Sequence, residues 1–119
     1  MTRILVVDDE SDARFLLRYE FERAGYEVSE AEHGLAALTS ILESAPDVVV
    51  TDMMMPVMDG VELIRWLRAD PRTARIPIFC VSGNHDLAIG ADIALDKYGD
   101  LSDLVPMTQA LLDKGHETR

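Results

Sequence analysis

Basic residues are scarce in this sequence: 11 lysines and arginines face 22 aspartates and glutamates, a formal net charge of -11. That balance opposes the counterion release that drives nucleic-acid binding, so direct contact with DNA or RNA is not expected of this chain. Cysteine occurs once, which excludes an internal disulfide, and the three histidines, His33, His85 and His116, lie far apart and read as surface residues, with His85 the one near enough in sequence to Ser82 to approach a site there. No Cys/His cluster of the zinc-binding kind results. Cys80 lies within an apolar run and reads as a buried, inert thiol. No stretch approaches the ~20 apolar residues of a membrane span, and the start MTRILVVDDE lacks the parts of a signal peptide. The expected setting is the cytoplasm, without membrane contact. Repeats, low-complexity tracts and linkers are also missing, and 119 residues suit one compact domain over 1–119.

What is present is alternation. Short apolar runs, RILVV (3 to 7), YEVSEA (26 to 31), DVVVT (47 to 51), IPIFCVS (76 to 82) and ADIALD (91 to 96), predict five strands. Between the first two, Ala13, Leu17, Phe21 and Ala24 share one helical face, with Ser11 as the expected N-cap and Gly25 as the stop. Leu38, Ile41, Leu42 and Ala45 repeat the period before Pro46, as do Leu63, Ile64 and Leu67 before Pro71. Pro106 would remove an interior hydrogen bond from a helix begun at Leu101, so a short last helix capped by Asp103 is predicted, followed by a fraying tail, DKGHETR. Strands alternating with helices imply right-handed crossovers and an α/β, doubly wound parallel sheet. In such sheets ligands bind beyond the carboxyl ends of the strands, where strand order switches. Asp8, Asp9 and Asp52 fall there.

The stretch VVVTDMMMPVMDG, 48 to 60, ends a buried run on a carboxylate. Three acids gathered at two strand ends repel one another unless a cation joins them, and Mg2+, a hard ion that takes oxygen ligands, is the economical choice. A carboxylate beside a bound cation stays ionised and can attack an electrophilic phosphorus. A phosphoryl group arriving on Asp52 needs donors on the side away from the metal. Ser82, ending the fourth strand, and Lys97, after the fifth, supply a hydroxyl and a cation.

ILVVDDE, AGYEV, A-x-x-G-x-x-A-L, PDVVVTDMMMPVMDG, RIPIFCVSG and GADIALDK occur in this order over nearly the whole chain. In them the sequence resembles the receiver domains of two-component response regulators. The resemblance implies a flavodoxin-like receiver fold of strand order 2-1-3-4-5, with Asp52 as the phosphoacceptor served by a histidine kinase or phosphotransfer protein. It implies that Asp9 and Asp52 hold Mg2+ directly with the backbone carbonyl of Met54, that Asp8 acts through water, and that Ser82 and Lys97 bind phosphoryl oxygens. Met53 and Met54 would form the site loop, with Pro56 and Gly60 fixing the turn that follows.

Three departures from the family accompany one another. Only GNHDLAIGADIALD separates Ser82 from Lys97, so the fourth helix is expected to be shortened or absent. Ala94 stands where an aromatic switch residue is usual, and Tyr98 where a proline follows the lysine, which puts a cis bond there in doubt. These changes lie on the face where the family meets partners, so the downstream protein is left open, as is dimerisation. The leading reading is a switch or phosphorelay intermediate that catalyses only its own phosphorylation and hydrolysis. The alternative is a pseudo-receiver, an interaction module whose output does not depend on phosphorylation. A phosphatase with an aspartate nucleophile would want a second acid two residues on, where Met54 stands. No turnover of an aryl phosphate is therefore expected in a steady-state assay with Mg2+, and sustained turnover would return the chain to the hydrolases.

Overall fold

Runs of four or five residues, apolar at nearly every position, are too short for helices and become strands covered on both faces. The computed structural model describes residues 1–83 and 90–117. Its strands are β1 (Arg3–Val7), β2 (Glu27–Ala31), β3 (Val48–Thr51), β4 (Ile78–Ser82) and β5 (Ile93–Asp96), all parallel, in the order β2-β1-β3-β4-β5. This is the doubly wound sheet and strand order that the sequence implied. The described residues contain four α-helices: α1 (Ser11–Arg23), α2 (Gly34–Glu43), α3 (Gly60–Ala69) and α4 (Leu104–Glu117). The expected shortening of a helix between β4 and β5 falls on residues 84–89, outside the described ones.

Because side chains alternate along a strand, the sheet divides its core in two. Leu5, Val7, Val49, Ile78 and Cys80 pack with α2 and α3, whereas Ile4, Val6, Val50, Phe79 and Val81 pack with α1 and α4. Cys80 is fully buried, and burial pushes its thiol up to about 11, so thiolate is scarce at neutral pH. Strand order reverses direction between β1 and β3, which opens the crevice at their carboxyl ends.

Several local expectations need correction. Ser11 does not cap α1; it is the first helical residue, and Glu10 occupies the cap position without capping through its side chain. In α2 the buried face turns through Ala37 and Ile41, leaving Leu42 and Ala45 exposed. Ala24, beyond α1, is likewise exposed. The last helix is not short: α4 has 14 residues and runs to Glu117. Its start directly after Asp103 is as expected, and Asp103 is the last residue of a 3-10 turn, Leu101–Asp103, that feeds into it. Pro106 is tolerated because it lies in the first turn, where its missing N–H has no helical partner to lose. Among the described residues there is no cis peptide bond.

One side chain of α3 governs where β5 begins. The Arg68 guanidinium donates to the carbonyls of Ala74 (2.7 Å), Ile76 (2.9 Å) and Gly90 (3.0 and 3.2 Å), and to Asp92 Oδ2 (3.0 Å). Asp92 Oδ2 also accepts from the Ile78 amide at 2.7 Å, tying the lead into β5 to the start of β4. Gly90 adopts φ +91, and a Cβ there would lie 2.7 Å from Ile64 Cγ2. Lysine supplies a point charge instead of this planar fork. Arg68→Lys is expected to cost about 1–3 kcal/mol by stranding the carbonyls, read as a lower urea midpoint with unchanged slope. An unchanged midpoint would show that Arg68 does not hold this junction.

Candidate functional site

The parallel ladder continues one residue beyond three strands and fixes the backbone of the candidate residues. The Asp8 amide donates to Ala31 O at 3.1 Å, Asp52 to Val7 O at 2.9 Å and Lys97 to Ser82 O at 3.2 Å. Each side chain therefore projects from the sheet's carboxyl edge with its Cα already pinned. Asp8 is fully buried, Asp52 is 5% exposed and Lys97 is 9% exposed.

Lys97 is the centre of the group. Its Nζ donates to Glu10 Oε1 at 2.6 Å and to Asp52 Oδ2 at 2.9 Å. It also forms an ion pair with Asp8 Oδ2 at 2.8 Å. That third contact lacks hydrogen-bond angles, so the buried Asp8 Oδ2 accepts no hydrogen bond although a cation stands beside it. Asp8 Oδ1 accepts from the Glu10 amide at 2.9 Å, and Asp52 Oδ1 accepts from the amides of Met53 (2.7 Å) and Met54 (3.4 Å). Burial pulls the Lys97 ammonium down, but hydrogen bonding and attraction from the surrounding carboxylates outweigh it and hold its pKa above the ordinary lysine value. Burial pushes Asp8 above its ordinary 3.8, and the Asp52 charge adds to this, while Lys97 and the Glu10 amide pull the other way.

Four carboxylates, from Asp8, Asp9, Glu10 and Asp52, bring ligand oxygens within 4.8 Å of one another, and three of them, Asp8, Glu10 and Asp52, pair with the Lys97 ammonium. An all-oxygen donor set with excess negative charge and a buried oxygen accepting no hydrogen bond suits a hard divalent cation. Asp9 and Glu10 are the exposed members of the cluster, Asp8 and Asp52 the buried ones. Ser82 is buried at the end of β4, one strand from Asp52. His85 lies outside the described residues.

The methionine run splits between two tasks. Met53 is fully buried beneath the site, whereas Met54 is 60% exposed at its mouth. Pro56 O accepts from the Met58 amide at 2.8 Å, and Val57 between them has φ +69, which makes a γ-turn. Gly60 permits α3 to start against the site: a Cβ there would meet the Asp52 carbonyl and lie 2.8 Å from Met53 Cα. Gly34 does the same for α2, with a would-be Cβ 2.6 Å from Met58 O. His33, expected at the surface, caps α2 by accepting from the Ala36 amide at 3.1 Å. Glu10 was visible in the sequence only as the third acid of DDE, and its bond to Lys97 had no spacing signal. Tyr98, read only as a missing proline, donates its phenol to Glu10 Oε1 at 3.2 Å.

Residues 4–109 match the response regulator receiver domain. The chain is 37% identical to the transcriptional regulatory protein PrrA of Mycobacterium tuberculosis over 98% of its own length and 52% of that protein's. It is 35% identical to sporulation initiation phosphotransferase F of Bacillus subtilis over 71% of its length and 68% of that protein's. The chain thus spans about half the length of the transcriptional regulators it matches. In structure it is similar to response regulator protein TrrA of Thermotoga maritima in complex with Mg2+-BeF, with a TM-score of 0.85 and 30% identity over 93% of this chain and 99% of that one. A response regulator of Chloroflexus aurantiacus gives 0.88 at 30% identity, covering 94% and 98%.

The raised Asp8 pKa has a definite sign for stability. The folded protein holds that proton more tightly than the unfolded chain, so ionised Asp8 opposes folding as pH rises above 3.8, and fully so above its raised value. Asp8→Asn is expected to raise the urea midpoint of the metal-free protein at pH 7, the advantage fading as pH falls to 3.8. Added Mg2+ is expected to raise the wild-type midpoint through binding, and Asp8→Asn to diminish that gain. A lower midpoint in the variant would show that ion pairing with Lys97 outweighs burial at Asp8.

Proposed function

Because the chain belongs to the response regulator receiver domain family, we propose that it accepts a phosphoryl group on Asp52 from a histidine kinase or phosphotransfer protein and thereby switches its protein contacts. The observation that carries this reading is the Asp52 carboxylate, buried at the end of β3 with one oxygen on the Met53 amide and the other on Lys97. A nucleophile held this way is oriented before its partner arrives. An Asp52 oxygen attacks phosphorus, the O–P bond forming as the donor's N–P bond breaks, and the leaving imidazole takes up a proton. Lys97 pairs with a phosphoryl oxygen as it gives up Asp52, and the Ser82 hydroxyl donates to another.

Asp9 and Asp52 would hold Mg2+ with the Met54 carbonyl, and Asp8 through water. When bound, the ion neutralises crowded carboxylates and the charge of the transferring group. The protein would act only on itself, in the cytoplasm, turning over no external substrate. Among the described residues no helix is long and apolar enough to cross a membrane. The likeness to a sporulation initiation phosphotransferase favours onward transfer of the phosphoryl group as one use of the site.

Ala94 favours the second reading, a pseudo-receiver. It is partly buried against the α2–α3 side of the core, where the family's switch would place a ring. The two readings separate in amide NMR spectra recorded with Mg2+ before and after adding beryllofluoride. For a working switch, shifts should spread from Asp52 through Ser82 into residues 84 to 98 in the wild type and vanish in Asp52→Asn. Shifts confined to the immediate neighbours would favour a phosphoryl carrier, the absence of shifts a pseudo-receiver, and shifts that persist in Asp52→Asn would remove Asp52 from the role.

A further inference from the structure

We propose that Glu10 and Tyr98 form a latch across the mouth of the site that occupies Lys97 at rest and that an arriving phosphoryl group must open. The inference rests on Asp52 as the phosphoacceptor.

Glu10 stands at the N-cap of α1 with extended backbone, φ -87 and ψ 115, where a side-chain oxygen normally accepts a helix amide. It makes no such bond. Its Oε1 instead accepts from Lys97 Nζ at 2.6 Å, nearer than either Asp8 or Asp52, and from the Tyr98 hydroxyl at 3.2 Å. Tyr98 is itself aimed by its backbone: its amide donates to Asp96 Oδ1 at 2.9 Å. The ring then lies across Gly83, so close that a Cβ at that position would be 2.6 Å from Tyr98 Cε2. The ring centroid is 5.7 Å from Lys97 Nζ. One tyrosine thus joins Gly83 after β4, Glu10 at the start of α1 and the lysine after β5.

Charge makes this clasp oppose phosphorylation. Glu10 contributes an oxygen within 4.8 Å of the Asp52 ligand oxygen, inside the space where a negatively charged phosphoryl group must settle. An ammonium has three protons, and Glu10 holds one of them. Displacing Glu10 removes a like charge and returns that donor to the phosphoryl oxygens. It also deprives the Tyr98 hydroxyl of its acceptor, so the exposed ring is free to leave Gly83. Phosphorylation is then reported at residues 83 and 98 without the aromatic residue that Ala94 replaces.

The test compares wild type, Glu10→Gln, Glu10→Asp and Tyr98→Phe at saturating Mg2+, so that any change in metal affinity is removed. Beryllofluoride affinity is read by NMR, and the phosphorylation rate is followed with phosphoramidate as donor. Both altered side chains are solvent-accessible, so folding is not at issue. Glu10→Gln is expected to bind beryllofluoride about five- to tenfold more tightly, the effect of removing one like charge at this range. Tyr98→Phe should give a smaller gain in the same direction, and Glu10→Asp should return towards wild type. The ring-current shift of Gly83 should be present in the resting wild type and lost on adding beryllofluoride. Wild-type binding with an equal or weaker Glu10→Gln, or a Gly83 shift that survives beryllofluoride, overturns the latch and leaves the phosphoacceptor intact. Failure of every variant and the wild type to bind removes Asp52 from its role, and the latch with it.

Discussion

A single ammonium, Lys97, holds together acids that would otherwise repel one another. Asp8 and Asp52 arrive from adjacent strands, Glu10 from the start of α1, and each lies within 3 Å of the same nitrogen. Low dielectric strengthens that attraction and equally raises the cost of any acid left unmatched. The resting site is therefore compact but over-supplied with negative charge. Such a donor set suits a divalent cation, and any group that competes for the lysine alters the balance.

The rest of the fold serves to bring that nitrogen to its place. β5 is an edge strand, paired only with β4 in the sheet, so its register depends on neighbours beyond the ladder. Arg68 supplies them from α3, fastening the residues that enter β5 to those that enter β4. At the opposite end of α3, Gly60, with Gly34 of α2, lets two helices approach the site loop more closely than any larger residue allows. The exceptional contacts thus fall at the two edges of the sheet: the Arg68 network where β4 and β5 begin, and the Lys97 cluster where the strands end.

Much of this was legible in the sequence, for identifiable reasons. Strands such as VVV and FCV announce themselves because burial on both faces leaves no polar alternation to misread. Asp52 was conspicuous because a carboxylate ends such a run. Gly25 marked the end of α1 through its left-handed backbone, φ +96. What escaped depended on contacts distant in sequence. Glu10 meets Lys97 across 87 residues, and nothing near Glu10 distinguishes it from an ordinary N-terminal helix acid. The length of α4 was misjudged at its far end: its start and the place of Pro106 in the first turn were foreseen, but the polar residues from Asp113 onward gave no sign that the helix continues to Glu117. Ser11 lost the cap because the chain turns one residue earlier, at a glutamate whose side chain is committed elsewhere.

Val57 has a consequence of another kind. A β-branched residue with φ +69 sits in a conformation that costs about 1–3 kcal/mol. It is kept there because the Gly34 amide grips Met58 O at 2.8 Å and the Gly60 amide grips Met53 O at 3.0 Å, one on each side of the turn. The loop next to Asp52 therefore behaves as a loaded spring clamped at both ends by helix starts. Slackening either clamp releases energy the loop already contains, so motion beginning at Asp52 needs to supply only part of the work of moving α2 or α3.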